Sequence, residues 1–128
     1  MKKLTKKQVE VMKIFWSNEK PLAASDILEL GENMNINTIR TSIRALLEAG
    51  YIEVANIEHR EKALTQTYIS TVGMDEYIIS NFAGITNKAS KRSLISHFIK
   101  NEEDEEVIKE LEQELKQRKA MLEKKKGN

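Results

Sequence analysis

Cysteine is absent from all 128 residues, which removes disulfides, thiolate metal sites, cysteine nucleophiles and thiol redox sensing together. Glycine occurs only five times, with no glycine-rich phosphate loop, no Gly-x-Ser-x-Gly elbow and no His-Glu-x-x-His, so an enzyme is not expected. The two histidines, His59 and His97, are too few and too far apart in sequence for a zinc site, and no metal or other cofactor is expected. Aromatics make up 5% of the chain against 40% hydrophobic and 32% charged residues. That balance favours a mostly helical, charge-covered protein over an aromatic-rich β sandwich. No apolar run approaches the roughly 20 residues a membrane span needs. The opening MKKLTKKQVEV also puts charge where a signal peptide has its apolar core. A cytoplasmic protein without membrane insertion is therefore expected. A net charge of +1 gives no general basic field. The asymmetry is local: Lys2, Lys3, Lys6, Lys7 and Lys13 crowd the N-terminus against the single acid Glu10.

Among the residues that are present, the stretch Asn35 to Gly50, NINTIRTSIRALLEAG, organises the rest. Ile36, Ile39, Ile43, Leu46 and Leu47 recur at three- and four-residue intervals and form one stripe on a helix. The opposite face carries Asn37, Thr38, Thr41, Arg44 and Ala45, with Arg40 at its boundary and no acid before Glu48. Small polar groups flanked by guanidiniums suit a groove of DNA; an ordinary solvated helix face is the plainer alternative. Asn35 is placed to cap the helix and Gly50 to take the left-handed position after it.

Upstream, Thr5 and Gln8 form a capping-box pattern that opens a helix from about Lys6 to Ser17, with Val9, Met12, Ile14 or Phe15, and Trp16 as its apolar stripe. Pro21 blocks its continuation. Leu22-Ala23 can supply a minimal strand, and Ala24 or Ser25 opens a second helix through Ile27, Leu28 and Leu30 to Gly31. The short turn GENMN then joins two helices at the spacing of a helix-turn-helix. Downstream, residues 51–57 and 64–70 alternate as strands around a charged tip, EHREKA, at 58–63. Three helices followed by a hairpin is the layout of a winged helix, whose third helix enters the major groove while the hairpin lies along the backbone. Arg60, Lys62 and His59 are the wing's candidate phosphate contacts. Lys7 is a further candidate, with a solvated tail as the alternative for the N-terminal lysines.

From Gly73 the pattern is helical again. Residues 74–82 precede Gly84, and residues 88–100 carry Ala89, Leu94, Ile95, Phe98 and Ile99. The acidic run Glu102–Glu106 opens a last helix in which Ile108, Leu111, Leu115 and Leu122 repeat like a coiled-coil seam. The acids are explained by the positive end of the helix dipole more simply than by a hard cation. A narrow stripe on so charged a helix asks for another helix, most simply its own copy.

The blocks LTKKQVEVMKIFW and NINTIRTSIRALLEAGYIEV, then Thr67-Tyr68-Ile69-Ser70 and SLISHFIKNEE, resemble in order the penicillinase-repressor (BlaI/MecI) family. The resemblance implies a homodimeric repressor with a winged helix over residues 1–72 that binds a palindromic operator. It implies a dimerisation region over 73–128, with Tyr77, Ile78, Phe82, Leu94, Ile95 and Phe98 joining Ile108, Leu111, Leu115 and Leu122. Asn37, Thr38, Thr41 and Arg44 would read bases, with Arg40 and Arg60 on phosphates. Members that respond to β-lactams are cleaved in the dimerisation helices before a phenylalanine, here Phe98, under a membrane sensor protease; His97 stands where they carry asparagine. The copper-responsive branch uses C-terminal cysteines, which this chain lacks. The expected fold is mainly α with a small β hairpin, a winged helix-turn-helix followed by a helical dimerisation region. The competing expectation is a winged-helix protein-interaction module that assembles through its coiled coil without reading DNA, which the near-neutral charge favours.

Overall fold

The computed structural model describes residues 1–82 and 87–127 and divides into two compact units, Met1–Ala83 and Gly84–Asn128. In the first unit, α1 (Lys6–Trp16), α2 (Ala24–Leu30) and α3 (Ile36–Glu48) precede a hairpin of β1 (Ile52–Arg60) and β2 (Ala63–Ser70), and α4 (Met74–Asn81) follows. The second unit holds α5 (Lys88–Lys100) and α6 (Glu105–Lys126). No helix among the described residues is long and apolar enough to cross a membrane. Gly84, which the sequence sets between the helical stretches 74–82 and 88–100, lies outside the described residues.

Local chemistry sets the helix ends. Thr5 accepts from the Gln8 amide at 3.3 Å while the Gln8 side chain accepts from the Thr5 amide at 3.0 Å, a closed capping box on α1. Asp26 does the same service for α2 by accepting from the Ala23 amide at 2.8 Å. Asn35 caps α3 through the Thr38 amide at 2.8 Å. At the other end of α3, Gly50 takes φ +79°, which lets the Tyr51 amide turn back to the Leu46 carbonyl at 2.9 Å.

The core collects Val11, Met12 and Phe15 from α1, Ile27 from α2, and Ile39, Ile43 and Leu46 from α3, with Leu22, Tyr51 and Ile52 beside them. Ile36 and Leu47, at the edges of the stripe, are only half-buried. Leu22 forms a single isolated bridge to Tyr68 beside the two-stranded hairpin, so the minimal strand expected at Leu22-Ala23 is reduced to one residue. β1 and β2 pair antiparallel with an irregularity between Val54 and Asn56, and pairing continues through His59 with Leu64 to Arg60 with Ala63. The charged tip expected at 58–63 therefore contracts to Glu61 and Lys62, with Glu61 left-handed at φ +55°. Charged side chains on exposed strand positions do not interrupt a backbone ladder, which is why composition misplaced the turn.

Helix α4 differs more from the expectation. Tyr77, expected on a dimer face, is 6% exposed and belongs to the core of the first unit. Its ring lies 5.7 Å from Trp16 and 5.9 Å from Tyr51, and its hydroxyl accepts from the Leu4 amide at 3.3 Å. Trp16 in turn donates to the Val72 carbonyl at 2.8 Å. These contacts carry the first unit past residue 72 and through α4.

In the second unit, Asn87 caps α5 and Asp104 caps α6, with Glu105 and Glu106 in the first turn of α6 and Lys124, Lys125 and Lys126 in its last. That arrangement complements the helix dipole at both ends. No described residue of either helix is buried. Ile95, Ile99, Ile108, Leu111 and Leu115 line one open groove of about 430 Å³.

Ile39→Ala, which opens a cavity where α3 meets the core, should lower the unfolding free energy by about 2–5 kcal/mol in urea denaturation; a loss below about 1 kcal/mol would contradict the packing described.

Candidate nucleic-acid interface

With Ile39, Ile43 and Leu46 turned into the core, the polar side of α3 is forced outward. Asn37, Arg40, Thr41 and Arg44 are exposed and Thr38 is half-buried. Thr41 donates to the Asn37 carbonyl at 2.9 Å, which leaves its oxygen free to accept. Among the described residues neither Arg40 nor Arg44 has an ion-pair partner.

Two hollows flank this face. On one side Thr5, Lys7 and Gln8 of the α1 start meet Asn37, Thr38 and Thr41 around a space of about 340 Å³. Lys7 is thus brought beside the first turns of α3, held only by a 3.8 Å contact to Glu10 across an exposed surface. On the other side Arg40 and Arg44 face the wing across a groove of about 900 Å³, whose far wall includes Ile57, Leu64, Thr65 and Gln66. His59 and Lys62 are exposed on the wing.

Arg60 is placed differently from its expected role. Its guanidinium donates to Asp26 of α2 at 2.8 Å and to Glu58 at 2.8 Å, so it is held by two carboxylates rather than extended to solvent. The hydrogen bond from Arg60 holds the Asp26 carboxyl below its ordinary value, opposed by burial and aided by the Ala23 amide. The same bonds, to Asp26 first and Glu58 second, push the guanidinium of Arg60 further up. Because the carboxyl of Asp26 is depressed in the folded protein, its contribution to stability is complete above the usual aspartate range and disappears only as pH falls through the lowered value. The tie is thus at full strength at neutral pH. Burial raises the phenol of Tyr51, whose hydroxyl donates to the Lys2 carbonyl and anchors the N-terminal segment in front of α1.

Sequence spacing does not reveal the Asp26–Arg60 pair, because 34 positions separate the partners. Of the dimerisation candidates other than Tyr77, Ile78 and Phe82 are exposed in the first unit. In the second, Leu94 and Ile108 are half-buried, while Ile95, Phe98, Leu111, Leu115 and Leu122 are exposed. His97 is also exposed. Among the described residues no group of three or more metal-binding side chains converges.

A family model described as penicillinase repressor matches residues 4–117. No curated protein sequence matches the chain. Among solved structures, Staphylococcus aureus MarR in complex with salicylate and kanamycin is similar at a TM-score of 0.43 and 16% identity, over 95% of this chain and 75% of that one.

Removing the cap on α3 tests how its first turn is held. Asn35→Ala should cost about 1 kcal/mol in thermal or urea unfolding and increase amide exchange at Asn37 and Thr38; unchanged exchange there would show that the cap does not order the outward face.

Proposed function

The chain belongs to the penicillinase repressor family and is a DNA-binding transcriptional repressor; from that premise we propose that it acts as a homodimer that occludes a palindromic operator. The observation that carries the proposal is the outward face of α3. Asn37, Thr38, Thr41 and Arg44 carry donors and acceptors suited to base edges, Arg40 and Arg44 lack acidic partners among the described residues, and an exposed lysine lies at one flank. A helix face of this width suits readout of a few base pairs through the major groove, and a guanidinium such as that of Arg44 can bond a guanine edge in bidentate fashion. Arg40, Lys7, His59 and Lys62 neutralise phosphates, which supplies affinity without base preference.

One such face is small, and the second unit supplies the means of presenting it twice. Ile95, Phe98 and Ile99 on α5, with Leu111, Leu115 and Leu122 on α6, remain 39–69% exposed. An apolar surface of that kind on charged helices favours association with a second copy. In this reading Met1–Ala83 binds DNA and Gly84–Asn128 dimerises, with Ile78 and Phe82 available at the end of the first unit. Two copies of α3 would then enter successive major grooves about 34 Å apart. The protein works in the cytoplasm, where it meets the chromosome. Release follows cleavage between His97 and Phe98 by a membrane sensor protease. Cleavage there would cut the helix that carries Ile95, Phe98 and Ile99 and so would break up the apolar surface that pairs the two copies.

Electrophoretic mobility shifts with duplexes enriched by the protein from a random-sequence pool, run at two salt concentrations, test the proposal. Affinity should fall steeply with salt, by a log–log slope of about 0.9 per phosphate neutralised. Arg44→Ala should cost about 1–3 kcal/mol and relax preference at one position, whereas Lys7→Ala should weaken enriched and random duplexes alike. Equal losses on all sequences for Arg44→Ala would remove its base-reading role. Failure to enrich any duplex would favour a protein-interaction module instead. A chain ending at residue 83 should sediment as a folded monomer; a dimer of that fragment would move the interface out of α5 and α6.

A further inference from the structure

Arg60 sits where a wing is expected to touch phosphate, yet its hydrogen bonds point inward. Its Nη1 is 2.8 Å from Asp26 Oδ1, its Nε 2.8 Å and its Nη2 2.7 Å from Glu58 Oε1. Two carboxylates around one guanidinium leave the cluster with net negative charge, which repels a phosphate rather than attracting it. To reach DNA, Arg60 would have to abandon charge-assisted bonds to both acids. Asp26 cannot follow it, because its second oxygen accepts from the Ala23 amide in the first turn of α2.

The position of the pair along the wing gives it a role. The hairpin is attached near its base by the Leu22–Tyr68 bridge, whose two backbone bonds are 2.9 and 2.8 Å. Arg60 is the last residue of β1, immediately before the turn at Glu61 and Lys62. The bridge and the ion pair therefore hold the wing at two separated points, one on the segment that leads into α2 and one on the first turn of α2 itself. Between them the strand carries the irregularity at Val54/Asn56, where a hairpin bends most readily. A ribbon pinned only at its base could swing about that point. Pinned also at its tip, it keeps a fixed distance from α3.

We infer that Arg60 is a positioning residue: its bond to Asp26 locks the outer end of the wing to α2 and so sets the width of the groove between the wing and the Arg40–Arg44 side of α3. DNA would be met by His59 and Lys62, which the lock carries into place, and not by Arg60 itself. This rests on the DNA-binding reading above and assigns Arg60 a different part in it from the phosphate contact that its sequence position suggests.

The two alternatives give opposite signs for one substitution. Asp26→Asn keeps an oxygen for the Ala23 amide but turns an uncharged amide toward Arg60, so it breaks the bond to α2 and leaves the guanidinium held by Glu58 of its own strand alone. A phosphate-binding Arg60 would then bind DNA more tightly; a positioning Arg60 would bind it less well. The test uses the full-length chain with Asp26→Asn, Arg60→Gln and the double variant, which has the same net charge as the parent. Without DNA, amide exchange of the wing at residues 57–66 should rise by about three- to fivefold in each single variant and no further in the double one, with exchange along α1 and α3 unchanged. With duplexes enriched from a random pool, Asp26→Asn should weaken binding by a similar factor, the two losses should not add, and the salt slope should stay that of the parent. Unchanged wing exchange, additive losses, tighter binding by Asp26→Asn, or a slope reduced by about one in Arg60→Gln would each overturn the assignment. The exchange measurement involves no DNA, so a parent protein that enriched no duplex would defeat the repressor reading while the lock was still decided by exchange.

Discussion

Ile39, Ile43 and Leu46 leave water almost completely, at 0%, 4% and 0% exposure, and their burial decides which way the remainder of α3 points. Each such side chain is worth about 1.5–3 kcal/mol in apolar transfer, so rotating the helix to hide its polar face instead would forfeit most of the stability a small domain has. The outward display of Asn37, Thr41 and Arg44 is therefore a consequence of core packing. Hydrogen bonds at the two ends fix the helix along its axis, through Asn35 at the start and the Tyr51 amide after Gly50. The surface offered to a nucleic acid is thus as rigid as the core beneath it, and rigidity matters where donors must meet base edges within a fraction of an ångström.

Around that face the structure sets charge of two kinds. Arg40 and Arg44 have no acidic partners among the described residues, and Lys7 has only an exposed one at 3.8 Å. Arg60 is enclosed by Asp26 and Glu58 at hydrogen-bonding distance. The same residue type is thus left open in one place and tied down in another, and what separates the two is the number of carboxylates within reach. Net charge near zero is compatible with DNA binding on these terms, because among the described residues Arg40 and Arg44 have no acidic partner while acids are taken up beside Arg60 and at the starts of α2 and α6.

Periodicity made the first three helices, the hairpin and the last helix legible, because each has one face that must be buried or capped and the residues that do so recur at fixed intervals. The capping box at Thr5 and Gln8 and the glycine at position 50 are local signals, and both formed as their residue types require. What could not be read was non-local. Tyr77 looks in sequence like any apolar residue of a C-terminal helix, and its place between Trp16 and Tyr51 depends on a chain reversal that no local pattern encodes. Val11 was missed for a related reason: α1 buries a stripe wide enough to include it beside Met12 and Phe15. The partners of Arg60 come from another element altogether. Among the candidate interface residues, the outward placing of those on α3 was readable because one helix carries them all, whereas the approach of Lys7 to Asn37 and Thr38 needed the packing of α1 on α3.

The second unit completes the account by what it leaves uncovered. Two capped helices with no buried side chain among the described residues do not form a core by themselves, and in the proposed homodimer the apolar positions along them pair with a second copy that doubles the α3 surface. Hydroxyl-radical footprinting of the full-length protein on a duplex it enriches tests this most directly. Two protected stretches related by a two-fold axis and separated by about one helical turn, roughly 10 base pairs, are the predicted result; a single protected stretch at saturating protein would contradict the paired presentation of α3.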